Sequence, residues 1–95
     1  MREREVERRL TLETKKRSGM ELKFVSPGCS GVPDRLVLMP EAHMAFVELK
    51  APGRKLRPLQ VRRKTQLERL GFQVYVVDGV EQINAILDAI GGDAR

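Results

Sequence analysis

Three residues of this chain stand at spacings that could do hydrolytic chemistry. Asp34 follows Val32-Pro33, and Glu48 and Lys50 sit two apart in the run Phe46-Val47-Glu48-Leu49-Lys50. In an extended segment alternate side chains share a face, so Phe46, Glu48 and Lys50 point one way and Ala45, Val47 and Leu49 the other. If residues 34–50 form an antiparallel hairpin turning about Glu41, Asp34 lies opposite Glu48, and directly opposed side chains have Cβ atoms ~4.5–5.5 Å apart. Two carboxylates this close in a mainly apolar sheet raise each other's energy unless a proton or a cation sits between them. Hard oxygen donors suit Mg²⁺ or Mn²⁺, and with one Cys and one His the chain has too few ligands for a softer metal. Lys50 adds a fixed positive charge, or an ammonium able to orient and activate a water. Asp, Glu, a divalent metal and Lys in one cleft of a basic protein describe hydrolysis of a phosphodiester. The plainer reading makes Glu48 and Lys50 a surface pair and Asp34 a turn cap. It loses weight because both charges follow Phe46-Val47 in a buried-looking strand, where unpaired charge is costly.

The segments around these residues alternate between helical and extended patterns. Residues 2–17 contain no Gly or Pro and stop at Ser18-Gly19, which predicts a helix over 3–17. Its apolar edge is narrow, Val6 and Leu10, and Glu3 and Glu7 beside that edge read first as solvated partners of arginines such as Arg8. Residues 22–26 (LKFVS) predict a short strand closed by Pro27-Gly28, followed by a flexible loop over 28–31. Leu36 to Met39 reads as a buried strand, 40–43 as a turn and 44–50 as the second strand of the hairpin. Pro58 is placed to open a helix running to about Leu70, with Gly71 as its C′ residue. Phe72 to Val77 is a strand, and 80–90 an amphipathic helix with Val80, Ile83, Ile86, Leu87 and Ile90 on one side. Residues 91–95 are expected to fray. The order α-β-β-β-α-β-α is that of an α/β domain with a mixed sheet.

Ninety-five residues suit one core, so 1–95 is read as a single domain. With 41% hydrophobic and 33% charged residues, and no apolar run near the ~20 a bilayer span needs, a soluble globular chain without membrane association is expected. Eighteen Lys+Arg against 13 Asp+Glu give +5, which points to an anionic partner, nucleic acid first. Phosphate contacts are expected from Arg35, Arg54, Lys55, Arg57, Arg62, Arg63 and Lys64. The lone Cys29 excludes a disulfide framework and any Cys/His zinc finger, and fits a reducing cytoplasm. The basic start MREREVERRL lacks the apolar stretch of a secretory signal. Cys29, in a loop with no His near it in sequence, and His43, at the hairpin tip, receive no chemical role.

Taken together, Gly31-Val32-Pro33-Asp34, Phe46-Val47-Glu48-Leu49-Lys50-Ala51 and Pro58-Leu59-Gln60 resemble the GxPD, ExK and helix-Gln signatures of the VRR-NUC domain, a branch of the restriction-endonuclease-like PD-(D/E)xK nucleases. Val6-Glu7-Arg8-Arg9-Leu10 is similar to that family's I-E-x-x-L opening, with Val in place of Ile. Each motif alone is weak; four in the family's order across nearly the whole chain are specific. The resemblance implies a restriction-endonuclease-like mixed sheet with flanking helices and a metal-dependent DNA endonuclease. Asp34 and Glu48 would be metal ligands and Lys50 the catalytic lysine. Glu7, or its neighbour Glu3, would complete the metal shell, Gln60 would support the site, and the Leu49 carbonyl would be a further ligand. Short stand-alone members look like homodimers that cut branched DNA, so the resemblance implies a Holliday-junction-resolvase-like homodimer with no small-molecule cofactor. The alternatives are a flap-type nuclease and a non-catalytic basic subunit that binds nucleic acid. A protein-interaction domain docking through its last helix rests only on the Ile83/Ile86/Leu87/Ile90 face, which is expected to be core.

Overall fold

Apolar residues on both faces of Leu36-Val37-Leu38-Met39 demand a sheet with something packed on each side. The computed structural model, which describes residues 3–91, builds that sheet from β1 (Met20–Lys23), β2 (Arg35–Met39), β3 (His43–Leu49) and β4 (Val74–Val77) in the order β1-β2-β3-β4. The first two pairings are antiparallel and β3–β4 is parallel. The parallel pair requires a crossover, and α2 (Pro58–Arg69) supplies it. Helices α1 (Glu3–Lys16) and α3 (Ile83–Gly91) complete the expected order, with short 3₁₀ turns at Pro40–Ala42 and Val80–Gln82.

The core lies between the sheet and α1 and α3. Val6 and Leu10 of α1 and Leu87 of α3 are fully excluded from water, against Val37, Ala45, Val47 and Val77 of the sheet. Full burial of an aliphatic side chain of this size contributes about 1.5–3 kcal/mol. Ile83 and Ile90 join this core, so the apolar side of the last helix faces inward as expected. Beyond the helical registers, Arg17 binds Asp88 and Asn84, tying the end of α1 to α3.

The hairpin has the register that places residue 34 opposite 48. Arg35 pairs with Val47, Val37 with Ala45 and Met39 with His43, about a tip where Glu41 and Ala42 both adopt φ 66°. Other boundaries move for local reasons. The first strand runs over 20–23 rather than 22–26, because β2 begins at Arg35 and leaves no ladder partner beyond; the last rung of that pairing is Phe24 N donating to Asp34 O. Ser18, at φ 65°, and not Gly19 takes the left-handed position after α1; Gly19 is small because a Cβ there would lie 2.6 Å from Met39 Sδ and 2.7 Å from Leu38 O. The fourth strand begins at Val74, not Phe72, since Phe72 N still donates to Leu67 O in the cap of α2, where Gly71 has φ 100°. Gly91 is the last residue of α3, and the expected fraying of 92–95 lies outside the described residues.

Candidate active site

Asp34 precedes β2 and Glu48 ends one step short of the end of β3, so the two occupy the next rung of the hairpin beyond Arg35–Val47. Their carboxylates take over the backbone bonds of that rung. Asp34 N donates to Glu48 Oε1 at 3.1 Å, and Leu49 N donates to Asp34 Oδ1 at 3.1 Å. The second oxygen of Glu48 accepts from Gln60 Nε2 at 3.0 Å, and Gln60 Oε1 accepts from Arg57 N at 2.8 Å at the start of α2. Gln60 thus has both ends of its amide engaged, and it is the only buried residue of α2. Lys50 Nζ lies 3.7 Å from Glu48 Oε2, with both side chains largely withdrawn from water.

The electrostatics follow from this packing. Burial is the main cause that holds the Asp34 carboxyl above its ordinary pKa, against the bond from Leu49 N and the charges of Arg35 and Lys50. Burial also raises Glu48, and the charge of Asp34 adds to it, against Lys50 and Arg57. Both ionised forms are therefore costly, and a cation between them would relieve that cost.

The loop into Asp34 explains a glycine. Gly31 has φ 85°, and a Cβ there would sit 2.7 Å from Leu59 Cγ and 3.1 Å from Leu59 O. Arg63 Nε donates to Ser30 O at 2.7 Å, strapping the same loop to α2. Gly31→Ala is expected to cost about 2–4 kcal/mol, from the left-handed backbone and the collision with Leu59. Urea denaturation measures this, and cleavage should fall with it because Asp34 lies three residues on.

A family model of the VRR-NUC domain matches residues 4–81, a span that contains Glu7, Asp34, Glu48, Lys50 and Gln60. The chain belongs to the VRR-NUC domain family. It is 47% identical over 90 residues to a protein named "Putative nuclease p44" of Acyrthosiphon pisum secondary endosymbiont phage 1, an alignment covering 95% of this chain and 96% of that one. A solved VRR-NUC domain superposes with a TM-score of 0.83 at 29% identity, covering 90% of this chain and 94% of the other. The mixed sheet and flanking helices expected from the resemblance are those of that VRR-NUC structure.

The roles expected for Glu7 and Arg35 change. Glu7 is not brought to the Asp34–Glu48 pair: its Oε2 accepts from Arg35 Nη2 at 2.7 Å. Among the described residues no group of three His, Cys, Asp or Glu is close enough to hold a metal ion, and Glu3 is solvent-exposed. Arg35, expected on phosphate, is 6% exposed. Its Nε lies 3.0 Å from Glu21 Oε2 as an ion pair without hydrogen-bond geometry, and Thr11 Oγ1 donates to the other Glu21 oxygen at 2.9 Å. The physical reason is alternation: residue 35 shares its face with Val37 and Met39, the face that α1 covers, whereas residue 34 lies off it. That signal was present in the sequence beside the motif. Arg35→Ala would leave Glu21, 9% exposed, without its cation; a loss of about 3 kcal/mol is expected from chemical denaturation.

Of the other basic residues of this VRR-NUC domain, Arg54, Lys55, Arg57 and Arg62 are exposed. Arg63, expected on phosphate, is engaged by Ser30 O and Gln66 Oε1, and Lys64, likewise, by Glu68 at 2.8 Å. Their spacing on α2 puts helix partners three and four residues away within reach.

Proposed function

We propose that this chain is a DNA endonuclease that hydrolyses phosphodiester bonds with Asp34 and Glu48 holding Mg²⁺ or Mn²⁺. The observation that carries this reading is the cross-bonded carboxylate pair with the Lys50 ammonium 3.7 Å from Glu48. The donor set fits such an ion: two hard carboxylates, both costly when ionised in the buried site, with the Leu49 carbonyl as a further donor, are what Mg²⁺ takes from a protein when phosphate and water complete its shell. When bound, the ion supplies Lewis acidity and a bound water of lowered pKa. The chain's own groups do the rest. Leu49 N and Gln60 Nε2 fix one oxygen of each carboxylate, and Lys50 orients the attacking water and offsets charge on the phosphate. Arg54, Lys55, Arg57 and Arg62 give the exposed positive charge on which the phosphate backbone would lie.

Branched DNA is the proposed substrate and a homodimer the proposed form. A small basic domain with little base-reading surface gains selectivity from DNA shape, and two-fold symmetry presents two equal sites to the two equal strands of a junction. No described helix is long and apolar enough to cross a membrane. The test is a gel assay of the purified chain with Mg²⁺ or Mn²⁺ on duplex, single-stranded, flapped and four-way DNA. Symmetric nicks in four-way DNA are expected. Cutting confined to flaps would move the chain to the flap-nuclease reading, and binding without any cutting would make it a non-catalytic nucleic-acid-binding subunit.

A further inference from the structure

Positions 4, 8, 11 and 15 recur at intervals of four and seven, so Arg4, Arg8, Thr11 and Lys15 share one edge of α1. With Glu7 and Leu12 they line an open groove of about 370 Å³. Two bonds place that groove on the β1 side of the helix: Glu7 accepts from Arg35 at the start of β2, and Thr11 donates to Glu21 of β1. Lys23, two residues after Glu21 and on the same face, stands opposite Arg35. Arg4, Arg8, Lys15 and Lys23 are exposed, and among the described residues none of them has an ion-pair partner. Lys16, Arg17 and Lys64, by contrast, are each matched by a carboxylate. Arg4 and Arg8, four apart on a helix, repel one another, so their placement does not serve the helix itself.

We infer that this edge of α1 is a second phosphate track, holding the sugar–phosphate backbone of the DNA where it runs past the carboxylate pair, an assignment that rests on the nuclease reading above. Topology supports it. Residues 34 and 35 point to opposite faces of the sheet. Gln60 of α2 reaches Glu48 on one face, and Glu7 of α1 reaches Arg35 on the other. The carboxylate rung at the end of the hairpin therefore lies between two exposed cationic tracts, Arg54 to Arg62 on the α2 side and Arg4, Arg8 and Lys23 on the α1 side. A polyanion crossing that end of the sheet meets both. Length selects a polymer over a small anion: Arg4 and Lys15 lie roughly 16 Å apart along the helix axis, about five nucleotide steps of one strand. A single phosphate would meet only one of them. Glu7, the carboxylate among the lining residues, is already taken by Arg35 and does not cancel the tract.

The test is fluorescence anisotropy of the full chain on labelled four-way DNA in chelator, over a series of salt concentrations, for two variants of equal net charge. Arg4→Ala/Arg8→Ala removes two cations from the groove, and Arg9→Ala/Lys16→Ala removes two exposed cations of α1 that lie outside the stripe. Alanine favours the helix in both, and circular dichroism confirms folding. Arg4→Ala/Arg8→Ala is expected to bind at least tenfold more weakly at about 0.1 M salt. Its slope of log affinity against log salt should fall by about 1.8, two phosphate contacts at ~0.9 each. Arg9→Ala/Lys16→Ala should stay within about threefold of wild type. An equal loss in the two variants, which would reduce affinity to summed charge, or an unchanged slope in Arg4→Ala/Arg8→Ala overturns the assignment. Single-turnover cleavage with Mg²⁺ at saturating protein reports on the nuclease reading separately: Arg4→Ala/Arg8→Ala should cut within a few-fold of wild type, because Asp34, Glu48 and Lys50 are untouched. A wild type that binds and never cuts defeats the nuclease reading, while the salt slopes still decide the groove.

Discussion

Lys50→Ala is expected to bind four-way DNA within a few-fold of wild type and to cleave it about 10²–10⁴-fold more slowly, the range a positioned proton-transfer or charge-stabilising group contributes. Binding should survive because affinity for a polyanion is spread over many cations, and Arg54, Lys55, Arg57 and Arg62 are all more exposed than Lys50. Cleavage should not, because Lys50 Nζ is held beside Glu48 Oε2 at 3.7 Å with its side chain only 13% exposed. Single-turnover rates and fluorescence anisotropy on one substrate separate the two terms. Lys50→Arg keeps the charge and enlarges the head group, so it should recover part of the rate if the lysine acts only through its charge. Unimpaired cutting by Lys50→Ala would remove the lysine from the chemistry.

Asp34→Asn is expected to abolish cleavage while making the metal-free protein more stable than wild type at neutral pH. In the wild type both carboxyls have raised pKa values. The folded state therefore holds protons more tightly than the unfolded one, and the pair's contribution to stability is present at low pH and lost as pH rises through the raised values. Replacing Asp34 by the neutral isostere keeps an oxygen for Leu49 N and removes the repulsion on Glu48. The difference in melting temperature between variant and wild type should grow with pH in chelator. Adding Mg²⁺ or Mn²⁺ at ten times its dissociation constant should stabilise the wild type by about 1.4 kcal/mol, roughly 6–11 °C for a domain of this size. The variant should respond little. A wild type whose melting temperature is indifferent to millimolar divalent ions would break the link between the carboxylate pair and metal.

The hairpin and the meeting of its two carboxylates were legible because period-two alternation and a two-fold turn leave one register in which Asp34 faces Glu48, and the backbone keeps it. The core of α3 was legible for the same kind of reason, a strong apolar period. Glu7 was harder. Motif order places it on α1 near the sheet, but which side chain it meets depends on a buried arginine at the start of β2, and that is a tertiary fact. Arg35 nevertheless carried its own signal in sharing a phase with Val37 and Met39. The first strand ends three residues earlier than expected because its end is set by the point at which β2 begins, and nothing in LKFVS encodes that.

Helix α2 is twelve residues long and contributes one buried side chain, Gln60. Apart from Leu59 and Arg63, which hold the loop into Asp34, its outer positions are almost free to drift: Val61 and Leu70 lie at the surface, 48% and 73% exposed, where substitutions ordinarily change stability by less than about 0.5 kcal/mol. The proposed chemistry would survive drift at those two positions as long as residue 60 presents an amide to Glu48. Lineages could thus reshape the outer contour of this helix at such positions while keeping the Asp34–Glu48 pair and the amide that supports it.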